Sequence, residues 1–120
     1  MTKLIISTFL GMLTAAFFLS SAWSFPTDPP GKTIFQASKC SNCHSIKAQG
    51  VTKVSSDEAK EMEKTPPDLS AVGTKHTPDW ITKFLLKKET LNDKKHLKKF
   101  KGSEEELQTL ATWLGSLKSK

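Results

Sequence analysis

Cys40-Ser41-Asn42-Cys43-His44 is the stretch that decides how the rest of this chain is read, and it holds both of the cysteines in the sequence. Two thiols three residues apart, followed at once by an imidazole, admit three chemistries. A thiol–disulfide redox centre uses a C-x-x-C pair, in a βαβ setting. A zinc site takes four protein ligands, or three and a water, and usually draws them from paired motifs. Covalent haem attachment uses C-x-x-C-H, with both cysteines bonded to the macrocycle as thioethers and the histidine aimed at the iron. The first reading needs strands, and no segment of the chain reads convincingly as one. The second needs a partner motif, and the other histidines, His76 and His96, are not paired at close spacing. Haem attachment is the reading that remains.

The segments on either side of the motif are helical or loop-like. Upstream, Asp28-Pro29 reads as a helix start, a cap and a first-turn proline. The short helix that follows carries Ile34, Phe35 and Ala37 and ends near Cys40. Downstream, 48–65 is polar and uneven and reads as a surface excursion, in which Ser56-Asp57-Glu58 opens a short helix carrying Met62. Pro66-Pro67-Asp68-Leu69 is a rigid extended turn. Thr77, Pro78 and Asp79 begin a middle helix whose Trp80, Ile81, Phe84 and Leu85 form one apolar face. Leu91 to Gly102 is a lysine-rich loop containing His96. Ser103 and Glu106 form a capping-box pair, and Leu107, Leu110, Trp113, Leu114 and Leu117 make an apolar stripe behind it. Three modest helices with long loops hold too little apolar area for a plain bundle, so a large apolar group belongs at the centre. The expected core is Ile34, Phe35, Ile46, Leu69, Val72, Trp80, Phe84, Leu97, Phe100, Leu110, Trp113 and Leu114.

The first two dozen residues stand apart. Lys3 precedes an almost entirely apolar run from Leu4 to Leu19, and small residues follow at Ser20-Ser21-Ala22. This is the layout of a secretory signal peptide over 1–24, with cleavage before Phe25 and a domain over 25–120. A retained membrane anchor is the alternative, because the run is just long enough to span a bilayer. Export points to the periplasm or an equivalent space. A domain this small needs a staple, which thioether-bound haem supplies. The 120-residue chain has a formal net charge of +6, and all 18 of its basic residues are lysines. Absent arginine argues against nucleic acid, whose phosphates and base edges suit the guanidinium fork. Hydrated lysine heads suit fast, loose encounters with acidic partner proteins. Lys94, Lys95, Lys98, Lys99 and Lys101 bracket His96, as a docking ring or simply as a solvated face.

Gly31 and Phe35 before the motif, Pro67-Asp68-Leu69 after it and Trp113 near the end complete a pattern. On these residues the chain resembles class I c-type cytochromes over nearly all of 25–120. The resemblance implies an all-α, small cytochrome c-like fold, three main helices and long loops wrapped around one covalently bound haem c. It implies that Cys40 and Cys43 are the thioether residues and His44 the proximal iron ligand. The carbonyl of Pro67 would accept a hydrogen bond from the other ring nitrogen of His44, with Leu69 binding haem from the same loop. Trp113 would pack against the N-terminal helix. The implied function is a single-electron carrier rather than an enzyme, here expected as a monomer that meets acidic redox proteins.

The sixth iron ligand departs from the pattern. The family usually places a methionine in the loop before the last helix, and that loop here holds His96 and no methionine. Met62 is the only methionine beyond the N-terminal segment, and it lies before Pro67, on the wrong side of the middle helix. Chain order therefore favours His96 over Met62, with His76 read as a surface residue. Two imidazoles hold ferric iron better than an imidazole and a thioether, so a lower potential follows. A haem subunit of a larger oxidoreductase, and a haem enzyme or gas sensor with a labile sixth ligand, are the competing functions.

Overall fold

Two consecutive prolines start the first helix. In the computed structural model, which describes residues 27–54 and 66–118, α1 spans Pro30–Ala37 with Pro29 at the cap. The start lies one residue later than Asp28-Pro29 implies. A proline at the first helical position has no N–H to satisfy, and the Pro29 carbonyl accepts from the Lys32 and Thr33 N–H groups at 2.9 and 3.2 Å, so the helix starts without a side-chain cap. Asp28 serves instead as an ion-pair partner, 2.8 Å from Lys32. At the other end Ser38 caps the helix and Lys39 turns into the left-handed region at φ 58°. That reversal separates α1 from the motif, which winds as its own 3₁₀ turn over Cys40–Asn42.

The remaining helices are α2 at Val72–Lys75, α3 at Pro78–Leu85 and α4 at Glu104–Ser116. The single turn of α2 was not anticipated from the sequence. Thr77 caps α3, its hydroxyl accepting from the Trp80 N–H at 3.3 Å. Ser103 and Glu106 close a reciprocal capping box on α4, at 3.1 and 2.8 Å. Among the described residues there is no strand, only the isolated bridges Ile46–Val51 and Leu91–Lys94. The helical architecture is that of a small all-α domain.

α4 is the central post. Phe35 of α1 meets Trp113 of α4 edge-on, ring centroids 6.0 Å apart at 66°. Gly31 lets the two helices approach, because a Cβ there would collide with Cβ and Cγ of Trp113. At Gly115 a Cβ would sit 2.6 Å from the Pro78 ring, so the start of α3 rests directly on the α4 backbone. Phe35, Ile46, Val51, Ile81, Leu107, Leu110, Ala111, Leu114 and Leu117 form the buried core. Ile34, Leu69, Val72, Trp80, Phe100 and Trp113 pack against it half-buried. Each fully buried large side chain contributes roughly 1.5–3 kcal/mol.

Phe84, expected in the core, is half-buried and stacks on Trp80 instead, and two further expectations need correction. Leu97 is 56% exposed; it follows the half-buried His96 in an irregular loop where no helical or strand period fixes which side chains are covered. The stretch 48–54 is no mere surface excursion, because Val51 is buried and bridged to Ile46 by bonds of 2.9 and 3.1 Å. The Val54 N–H then returns to the Ser41 carbonyl at 2.7 Å, tying the segment to the motif. Met62, the short helix opened by Ser56-Asp57-Glu58 and the apolar N-terminal segment lie outside the described residues. Among the described residues no helix is long and apolar enough to cross a membrane.

Candidate functional site

The 3₁₀ turn brings the motif's side chains together. His44 N–H and Cys43 N–H both donate to the Cys40 carbonyl, at 2.9 and 3.1 Å. Cys40 and Cys43 are free, half-buried thiols. Burial pushes the Cys40 thiol up to about 11, against a hydrogen bond from its own backbone and with Cys43 adding to the rise. A thiol kept protonated at neutral pH is a poor attacking group in disulfide exchange. Cys40 is therefore not an activated nucleophile of the kind thiol–disulfide exchange requires. Among the described residues no group of three or more His, Cys, Asp or Glu side chains could hold a metal ion, as a protein-only zinc site requires.

His44 is fixed by the proline loop. Its Nδ1 lies 3.1 Å from the Pro67 carbonyl oxygen. A carbonyl can only accept, so Nδ1 carries the proton and Nε2 keeps its lone pair. Burial pushes the imidazole below the ordinary histidine value; the Pro67 carbonyl opposes this, and His96 and Lys53 add to the lowering. The neutral ring is the form that ligates metals.

The proline loop is itself anchored by a residue that sequence reasoning missed. The Asp68 carboxylate accepts from the Ser45 hydroxyl at 2.7 Å, the Lys47 N–H at 3.0 Å and the Ser70 N–H at 3.0 Å. Desolvation pushes its pKa upward, but bonds from Ser70, Ser45 and Lys47 outweigh that and hold the carboxyl well below the usual range. The Leu69 N–H donates to the Ser45 carbonyl at 2.9 Å, closing the loop onto the residue after His44. The signal was present as Asp68-Leu69-Ser70, an Asx-turn pattern in which the carboxylate reaches the N–H two residues on.

His96 lies on the loop between α3 and α4. The Leu91–Lys94 bridge is turned by Asn92 and Asp93, both left-handed at φ 51° and 61°, as a type I′ turn demands. The Phe100 N–H donates to the Leu85 carbonyl at 2.9 Å, fastening the loop to the end of α3. His96 Nδ1 bonds the Lys98 carbonyl. As at His44, a carbonyl partner leaves Nε2 available. The half-buried His96 ring faces that of His44 with centroids 6.2 Å apart and planes only 13° from parallel.

That separation is too wide for ring contact. It is the spacing of two imidazoles on one metal ion: roughly 2 Å for each bond and about 1 Å from nitrogen to ring centre sum to about 6 Å. The residues present fit a haem that Cys40 and Cys43 would hold as thioethers, with His44 and His96 as candidate iron ligands of its one-electron couple. His76 is not a plain surface residue: half-buried, it stacks on Trp80, centroids 3.8 Å apart.

The chain matches the family model described as Cytochrome c over residues 29–118. It belongs to the cytochrome c family, whose members bind haem c covalently and act in haem-based electron transfer; Cys40 and Cys43 fit the attachment. Domains of this family are typically exported or periplasmic. No curated protein and no solved structure matches the chain.

Proposed function

We propose that this protein is an exported single-electron carrier of low potential, with His44 and His96 as the axial pair. The facing imidazoles carry this reading: the planes are near-parallel, the separation is that of two ligands on one ion, and each Nδ1 is engaged by a backbone carbonyl. Bound there, the haem supplies a one-electron couple. The chain's own work is to hold both nitrogens in place, leave no position for a substrate and present a lysine-rich face to an acidic redox partner.

The test is the absorption spectrum of the haem-loaded protein, oxidised and reduced. A low-spin spectrum without the long-wavelength ferric band of a methionine–iron bond is expected. The reduced protein should not bind carbon monoxide at neutral pH. The band's presence would transfer the sixth position to Met62; a high-spin spectrum or ready carbon monoxide binding would favour an enzyme or sensor. Replacing His96 by methionine should raise the reduction potential, since a thioether favours ferrous iron; an unchanged potential would remove His96 from the iron.

A further inference from the structure

His96 is not held by the Lys98 carbonyl alone. The Phe84 ring meets its ring in a T-shaped contact, centroids 5.3 Å apart at 70°. Phe84 is stacked on Trp80 at 4.8 Å and 17°, and Trp80 on His76 at 3.8 Å and 18°. These residues lie four apart, so one side of α3 and the residue before its cap present a continuous column of rings. The column ends on the candidate distal ligand. The neighbouring Ile81 is buried in the core and Trp80 packs against it, so the column stands on a fixed base.

We infer that the His76–Trp80–Phe84 column is a positioning device that sets the ring plane of His96 parallel to that of His44. The inference rests on the proposed axial pair. A hydrogen bond from Nδ1 restrains where the ring can point, but a wide range of carbonyl approach angles is tolerated, so it fixes the tautomer better than the rotation. A rigid aromatic ring in T-shaped contact removes the remaining freedom, since packed side chains rest in defined rotamers. Ring rotation matters electronically. Two parallel imidazoles would both act through their π orbitals on the same one of the two iron d orbitals of π symmetry and so split the pair, whereas crossed rings would act on one each and leave the pair nearly degenerate.

Electron paramagnetic resonance of the ferric protein reads this directly. The unaltered protein should give a rhombic low-spin signal with all g-values resolved. Phe84→Leu, which keeps apolar bulk but removes the aromatic ring, should move the signal toward the crossed form, dominated by a single larger g-value. Trp80→Leu, which does not touch His96, should shift it in the same direction by less. Phe84→Tyr should restore the original signal. Ile81→Val serves as a control that loosens the same helix: it should lower the melting temperature without moving the g-values. Unchanged g-values in Phe84→Leu, with the protein still low-spin and lacking the methionine band, would overturn the positioning role and leave the axial pair intact. A shift in Ile81→Val equal to that in Phe84→Leu would likewise overturn it, by making the effect one of general stability. If the unaltered protein shows the methionine band or is high-spin, the axial pair is wrong and the inference falls with it.

Discussion

At Asp68 one exposed carboxylate gathers the Ser45 hydroxyl and the Lys47 and Ser70 N–H groups. Its folded pKa lies below the unfolded value of ~3.9. The contribution of these bonds is therefore complete above pH ~4 and lost as pH falls through the folded value. Asp68→Asn should destabilise the protein by about 1 kcal/mol at neutral pH, a low figure for bonds to a charged group because the site is exposed. The gap between the two melting temperatures should narrow on acidification, and a pH-independent gap would show that shape, not charge, matters. The pattern of Asp68-Leu69-Ser70 could be read locally. Its partners Ser45 and Lys47 could not, because they lie more than twenty residues away and meet it only through the tertiary turn. The C-x-x-C-H motif is legible because its chemistry fixes identity and spacing together. The His96–Lys98 bond, which leaves Nε2 available, is visible only once the loop has a backbone.

The ends of the helices decide how the elements meet. Leu86 caps α3, and the chain reverses at Lys87 in the left-handed region at φ 59°. Lys88 N–H bonds the Lys83 carbonyl at 2.8 Å and Lys87 N–H the Phe84 carbonyl at 3.0 Å, the paired bonds of a Schellman ending. Glycine is the usual residue there, because a side chain in that conformation costs roughly 1–2 kcal/mol. Part of that is offset because glycine loses more freedom on folding. Lys87→Gly should then stabilise the protein by up to about 1 kcal/mol, read as a higher denaturation midpoint with unchanged slope. At the start of α4, Ser103→Ala removes half of a capping box and should cost about 1 kcal/mol in the same assay. The capping residues of α3 and α4 could be read from the sequence because each bond they make spans only three residues. α1 starts one residue late because either proline of Pro29-Pro30 satisfies the same local rule. The turn Val72–Lys75 is not encoded by a local cap; its Gly73 N–H is bound by Leu117, far along the chain, at 2.8 Å.

At the scale of the whole molecule, exposed lysines and leucines are concentrated on the loop that carries the candidate distal ligand. Leu91 and Leu97 are 41% and 56% exposed on the loop that carries His96. Lys94, Lys95, Lys98, Lys99 and Lys101 are exposed on the same loop. We propose this loop as a transient docking site for an acidic redox partner: desolvating exposed leucines would favour contact, and the hydrated ammonium groups would steer the approach. Screening sets the test, because the Debye length falls from about 30 Å at 0.01 M salt to about 8 Å at 0.15 M. Second-order electron-transfer rates with an acidic partner should therefore drop steeply over that range, while rates with a neutral small-molecule reductant stay flat. Replacing Lys95 and Lys99 by glutamate should lower the rate at low salt and weaken its salt dependence. Replacing Leu97 by serine should instead slow the reaction at every salt concentration, since apolar contact is not screened. If the lysine replacements leave the salt slope untouched, the loop is only a solvated face, and the steering charge lies elsewhere on the protein.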